Sequence, residues 1–303
     1  MVEGGGNRRG RLAAQRAADQ QAQVRKRRLL LAGGSIVAVI AVIVAFVLAS
    51  SNGGSSGSTS GNTAAPPTGS ALTSVIGQLT SVPASTLDQV GAGQTAANPT
   101  SITGAALTSG GKPEVLYIGA EYCPYCAAER WAMIVALNRF GTFSGLAPIR
   151  SAAKDGAGQA EPFPLTPTWT FRNTTYTSPY VTFTTVEGYT NIPDKATGFY
   201  TVLQPPTAAQ QALLNKYDAA FQGAIPFIDY GNRFLSVGAS YNPAILSGLT
   251  WAQIAADLHD PSSSVGKSVL GTANFATAAI CSLTNNQPAS ACTSAVRALQ
   301  PKI

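Results

Sequence analysis

The feature that most constrains this chain is a pair of cysteines two residues apart, Cys123-Pro124-Tyr125-Cys126. It lies between the apolar run Val115-Leu116-Tyr117-Ile118-Gly119 and a helix-like stretch from Ala127 to Phe140. Strand, turn and helix in that order is the setting in which two such cysteines carry out redox chemistry. A helix starting near Cys123 aims unpaired backbone N–H groups and the positive end of its dipole at that sulfur, which favours thiolate over thiol. Cys123 is therefore the expected nucleophile. Cys126, one turn further in, is placed to attack a mixed disulfide on Cys123, release the partner and close the Cys123–Cys126 bond. Two plainer readings compete: a structural disulfide, and half of a zinc site. A zinc site needs about four ligands, and the lone histidine, His259, offers no obvious supplement. No metal and no organic cofactor is expected.

Near the amino terminus, Leu29 to Ala49 gives 21 residues without a charge. At about 1.5 Å per residue this is long enough to cross the roughly 30 Å hydrocarbon layer, and it predicts one transmembrane helix. A cleaved signal peptide is the alternative. Its apolar region should run only about 7 to 15 residues before a small-residue cleavage site, a site that Ala49-Ser50-Ser51 mimics. Residues 1–28 hold eight basic side chains against only Glu3 and Asp19. The positive-inside rule puts this tail in the cytoplasm and the rest of the chain outside it, in a single-pass cell-membrane protein. The net charge of +6 resides entirely in that tail, and the remainder balances 12 basic with 12 acidic residues. The folded part is thus neutral, and no nucleic acid is expected as partner. The tail reads as a topology signal with affinity for the anionic lipid of the bilayer.

Residues 50–71 are almost entirely Ser, Gly, Thr, Asn, Ala and Pro and carry no charge. Such a stretch buries too little apolar area to offset chain entropy and reads as a flexible tether. Residues 72–303 then form one domain. Leu72, Val75, Ile76 and Leu79 recur at helical spacing, and Ser85 has the look of a cap for a further turn. Val115–Gly119 predicts a buried parallel strand, and Leu146–Arg150 the strand after the cysteine helix. Between Gly156 and Pro206 the alternation in Trp169-Thr170-Phe171 and from Tyr180 to Val186 predicts strands of an insertion. Thr207 opens a helix. Ile225-Pro226 leads a further strand, Gly231-Asn232 turns it into a hairpin, and helices are expected over 250–258, 273–283 and 291–299.

That order is similar to the thioredoxin superfamily over roughly residues 105–260. The resemblance rests on Cys123-Pro124-Tyr125-Cys126 and on Ile225-Pro226, which matches the superfamily's cis-proline loop. It implies an α/β, thioredoxin-like fold with a β-rich insertion and a C-terminal helical extension. It further implies that Ile225 faces the sulfurs and offers backbone groups to an extended substrate. Pro-Tyr between the cysteines is familiar from glutaredoxins, whereas the anchored layout looks closer to exported DsbA-type and protein-disulfide-isomerase-type proteins. Glu121 to Trp131, with Cys281-Ser282-Leu283-Thr284 and Gln287-Pro288-Ala289, resembles a membrane-anchored thioredoxin-like family catalogued as domain of unknown function 929. That resemblance spans most of residues 72–299, and the family label supplies no activity.

Cys281 and Cys292 flank the polar loop Asn285-Asn286-Gln287-Pro288. A structural disulfide is the plain reading and fits an oxidising compartment. A relay that exchanges electrons with Cys123–Cys126 is the sharper one. The acidity of Cys123 is left open, since Glu121 opposes a thiolate while Arg130 lies on the same helix. Glu129 and Arg130 are expected to pair with surface groups, with a catalytic Glu129 as the alternative. Tyr122, Pro124, Tyr125, Ile225 and Pro226 are the candidate substrate-binding residues, and Trp131 is expected in the core. The leading functional expectation is a membrane-anchored, extracytoplasmic thiol-disulfide oxidoreductase. It would act on cysteines of exported proteins and be recharged by a membrane or extracytoplasmic redox partner. The rival is a thioredoxin-fold binding or assembly module with a non-catalytic disulfide.

Overall fold

A computed structural model describes residues 64–303 apart from 219, 220 and 222. The basic tail, the expected membrane span and the linker up to residue 63 lie outside the described residues. Among the described residues, no helix is long and apolar enough to cross a membrane. The linker ends earlier than composition suggests, because α1 (Gly69–Thr80) already includes Gly69 to Ala71 and buries Val75 and Leu79. α2 (Ala84–Val90) follows directly, capped by Pro83, with the expected cap Ser85 inside it.

Two short strands, β1 (Thr100–Ser101) and β2 (Thr108–Ser109), precede β3 (Lys112–Gly119), whose last five residues are all buried. Four residues separate the end of β3 from helix α3 (Pro124–Asn138). The chain then runs through β4 (Thr142–Ser144), β5 (Ala147–Arg150), β6 (Pro167–Thr170) and β7 (Thr175–Thr177), and on to β8 (Thr182–Glu187). After β8 come the hairpin of β9 (Tyr189–Asp194) and β10 (Phe199–Val202), helix α4 (Ala208–Tyr217), and strands β11 (Phe227–Tyr230) and β12 (Phe234–Val237). Helices α5 (Trp251–Asp257), α6 (Ser264–Leu283) and α7 (Ser294–Arg297) complete it.

The main sheet runs β1-β12-β11-β3, with β8 parallel to β3 and β11 antiparallel to it. Alternation along β3 sorts its side chains between two cores. Val115 and Tyr117 join the large core with α3, α5 and α6, whereas Leu116 and Ile118 join Phe227, Leu235 and the Leu213, Leu214 and Tyr217 side of α4. The sheet is thus covered on both faces, as a strand that is apolar at consecutive positions requires. The β11–β12 turn places Gly231 and Asn232 at φ 64° and 55°, the left-handed pair that matches the twist of a tight hairpin.

Two expectations are corrected here. The strand at Leu146–Arg150 forms, as β5, but it pairs only with β6, and β4 pairs with β7 in a separate two-stranded sheet. Pro148 in β5 and Pro167 in β6, opposite Trp169 and Arg150, each lack a donor, which suits a short pair outside the main ladder. The true parallel neighbour of β3 is β8, read from sequence as part of the insertion. Its Thr-, Phe- and Val-rich run pairs along six residues, from Glu114↔Thr182 to Gly119↔Glu187. The insertion within the sheet is therefore β4–β7, and a second one, β9–β10, follows β8.

Cys281 and Cys292 are bonded to each other, with Cα atoms 5.7 Å apart. Closing a loop of this length contributes about 2 to 3 kcal/mol. The bond ties the end of α6 to the segment before α7. Arg139, the C-cap of α3, donates to the backbone carbonyl of Ala291 (2.7 Å) and to Asn274 Oδ1 (3.3 Å). That puts the disulfide at the far end of the 15-residue α3 from Cys123, about 22 Å along the helix. Direct electron relay to Cys123–Cys126 has no geometric support.

Candidate active site

Cys123 is the N-cap of α3. Its extended backbone (φ −72°, ψ 122°) leaves the sulfur at the mouth of the helix, where it accepts the Cys126 N–H at 3.3 Å. Pro124 occupies the first helical position, where its missing N–H costs nothing. Both cysteines are free thiols, Cys126 fully buried and Cys123 4% exposed. On the other side of the sulfur, the Ile225–Pro226 peptide is cis, as the proline's position before β11 suggests. The Cys123 thiol lies 3.7 Å from the Ile225 carbonyl, to which it donates. The fold therefore brings Cys123, Pro124, Cys126, Ile225 and Pro226 together across about a hundred residues of chain.

The two tyrosines differ. Tyr125 is half-buried, edge-on to Phe163 at 5.8 Å between centroids, and stays beside the sulfur. Tyr122 is held in an aromatic cluster from the β9–β10 hairpin: stacked on Tyr200 at 4.1 Å and edge-on to Phe199 and Tyr189. Its carbonyl accepts from the Ala152 N–H. Tyr122 thus fixes the hairpin against the cysteine turn, while the Phe199 ring remains 38% exposed beside it.

Beneath the dithiol lies what the sequence did not reveal. Arg130 and Glu187 are both fully buried and form a two-point ion pair: Nε to Oε1 at 3.0 Å and Nη2 to Oε2 at 2.7 Å. Arg130 Nη2 also donates to the Ala120 carbonyl at 2.7 Å, and the Cys123 N–H donates to that same carbonyl at 3.3 Å. The guanidinium lies over the Tyr117 ring, 5.7 Å from its centroid. Glu187, at the end of β8, accepts a further bond from the Phe171 N–H. Glu121 is buried and accepts from Thr170 Oγ1 at 2.7 Å. The expectation that Glu129 and Arg130 pair at the surface is overturned, since both are buried. Glu129 accepts the N–H and hydroxyl of Ser240 and faces the large core. The one sequence signal was an adjacent acid and base on an otherwise apolar helix. Trp131 is in the core as expected, and His259 Nε2 lies 2.9 Å from the Gln78 carbonyl.

The electrostatics separate the two thiols. Burial raises Cys123, but it is outweighed by hydrogen bonds from the Cys126 thiol and N–H, the Arg130 charge and the Tyr125 N–H, so Cys123 ends below its ordinary value. Burial pushes Cys126 well up, and its bond to Cys123 pushes it further; Arg130 and the Ala120 N–H oppose this. Cys123 is therefore the more acidic of the two thiols, and Cys126 holds its proton more firmly. Among the described residues, no group of three or more His, Cys, Asp or Glu could hold a metal.

A family model described as "Domain of unknown function (DUF929)" matches residues 98–282. No curated protein and no solved structure gives a significant match. The match covers more than half of the chain, from before β1 to the end of α6 and including both the dithiol and the Ile225–Pro226 turn, and the chain accordingly belongs to the DUF929 family.

Proposed function

We propose that this protein is a membrane-anchored thiol-disulfide oxidoreductase with a thioredoxin-like domain held outside the cytoplasm. The observation that carries the reading is the Cys123 sulfur at the N-terminus of α3, with its pKa lowered, facing the carbonyl of the cis Ile225–Pro226 turn while protonated Cys126 lies below. One sulfur is ready to attack and the other to resolve. The thioredoxin-like reading is supported by the order β8-β3-β11-β12, with β8 parallel and β11 antiparallel to β3. Location outside the cytoplasm is supported by the charge bias ahead of residues 29–49 and fits the buried Cys281–Cys292 bond. Cysteine-bearing exported proteins are the proposed substrates. A membrane or extracytoplasmic redox partner would reset the pair.

A binding or assembly module is the second reading, favoured by one fact: only 4% of Cys123 is exposed. Equilibration of the full-length protein in detergent with glutathione or dithiothreitol buffers distinguishes the two. Exchange chemistry predicts a Cys123–Cys126 potential above about −300 mV, whereas a permanent structural bond lies below it. A value at the structural end would favour the binding module.

A further inference from the structure

The Arg130–Glu187 pair has no evident purpose in stability alone. Apolar side chains of similar volume generally serve a core as well as a buried ion pair does. This one sits directly under the dithiol. Arg130 follows Cys126 by four residues on α3 and so shares its face. Its Nη2 grips the Ala120 carbonyl that also receives the Cys123 N–H. Its Nη1 is buried and has no partner among the described residues. Gly119 completes the pocket, because a Cβ there would strike the Tyr117 hydroxyl that lies against it.

We propose that Arg130, clamped by Glu187, is a positioning residue whose fixed charge stabilises the Cys126 thiolate as that sulfur resolves the mixed disulfide. This rests on the exchange reading above. In the resolving step Cys126 gives up its thiol proton and its sulfur attacks Cys123 Sγ. The Cys123–substrate S–S bond breaks, its electron pair leaves on the substrate sulfur, and that sulfur takes up the proton. The Cys123–Cys126 bond has formed, the pair is oxidised by two electrons and the substrate disulfide is reduced; the reverse sequence oxidises a substrate dithiol. A thiol in a dry interior resists losing its proton, so a compensating cation is needed at this step. The other ionisable groups around Cys126 are Cys123, Tyr117 from β3, Tyr122 from the turn, Glu187 from β8 and its neighbour Glu121. None is a cation. Arginine keeps its charge at every working pH, and the two-point contact with Glu187 prevents it from turning away.

The test is the pH dependence of iodoacetamide reaction at Cys126 in the full-length Cys123→Ser protein, compared with the same protein carrying Arg130→Met and Glu187→Leu. The double apolar replacement avoids stranding a buried charge, and far-ultraviolet circular dichroism checks that it is folded. The midpoint of the profile should rise by about one pH unit or more, making alkylation at least about tenfold slower at a fixed pH below it. Cys123 alkylation in a Cys126→Ser background should shift less. In otherwise wild-type cysteines the double replacement should slow disulfide release from a preformed mixed disulfide by a similar factor. An unshifted Cys126 profile in the folded double variant would overturn the proposal, whatever happens to turnover. A shifted profile in a protein that exchanges no disulfides would instead sink the enzyme reading and leave the charge effect standing.

Discussion

Replacing Cys126 with serine should turn the protein into a trap, with mixed disulfides to exported proteins accumulating on Cys123, while Cys123→Ser should form none. The asymmetry follows from position. Cys123 lies at the helix mouth, receives the Cys126 N–H and has its pKa lowered, whereas Cys126 is fully buried and holds its proton. An incoming disulfide meets Cys123 first. Without Cys126 the intermediate has no internal exit, and catalysed exchange should fall to background in both variants for different reasons. A non-reducing gel of membrane fractions, with a parallel reduced sample, reads this out. Equal trapping by the two variants would show that the order of attack is wrong.

Glu129→Gln should stabilise the folded protein at pH 8 by about 3 kcal/mol. Glu129 is 1% exposed, and burial lifts its pKa from the ordinary 4.5 to about 7, against the two bonds from Ser240 that favour the anion. When unfolded, this carboxyl loses its proton near 4.5; when folded, it keeps it until about 7. Between those values the folded state holds more protons, so wild-type stability should fall as pH rises and level off above about 7. That rise from 4.5 to about 7 corresponds to about 3 kcal/mol. Glutamine retains an oxygen for the Ser240 N–H and an amide for its hydroxyl. Urea unfolding of wild type and variant at pH 4.5 and pH 8 checks this. The gap between them should open on the alkaline side, and a variant less stable than wild type at pH 8 would show that Glu129 is a stabilising anion.

Local signals carried much of the architecture. The buried run of β3, the cysteine helix, the helix opened by Thr207 and the Gly231-Asn232 turn are each set by residues near one another in sequence, and each appears where it was expected. Strand order was harder to read. β5 and β8 are both short and apolar enough to follow α3, and only the ladder decides that β8 lies beside β3. The same holds at the site. Cys123 and Cys126 announce themselves by spacing, and Ile225-Pro226 by its place before a hairpin. Arg130 finds Glu187 57 residues away, through a sheet register that local sequence does not encode. Charged residues are usually at the surface, which is why Glu129 and Arg130 read as solvent-facing until the packing of α3 against α6 and β6 is seen.

The most direct test of the central claim is catalysed exchange itself: the rate at which the full-length protein in detergent oxidises or reduces a fluorescent two-cysteine peptide in a glutathione buffer, against the Cys123→Ser, Cys126→Ser control. A rate well above the buffer alone, first order in protein and lost in the control, is the result expected of Cys123 at the head of α3. A wild-type rate equal to that of the control, in either direction and across pH 5 to 8, would contradict it.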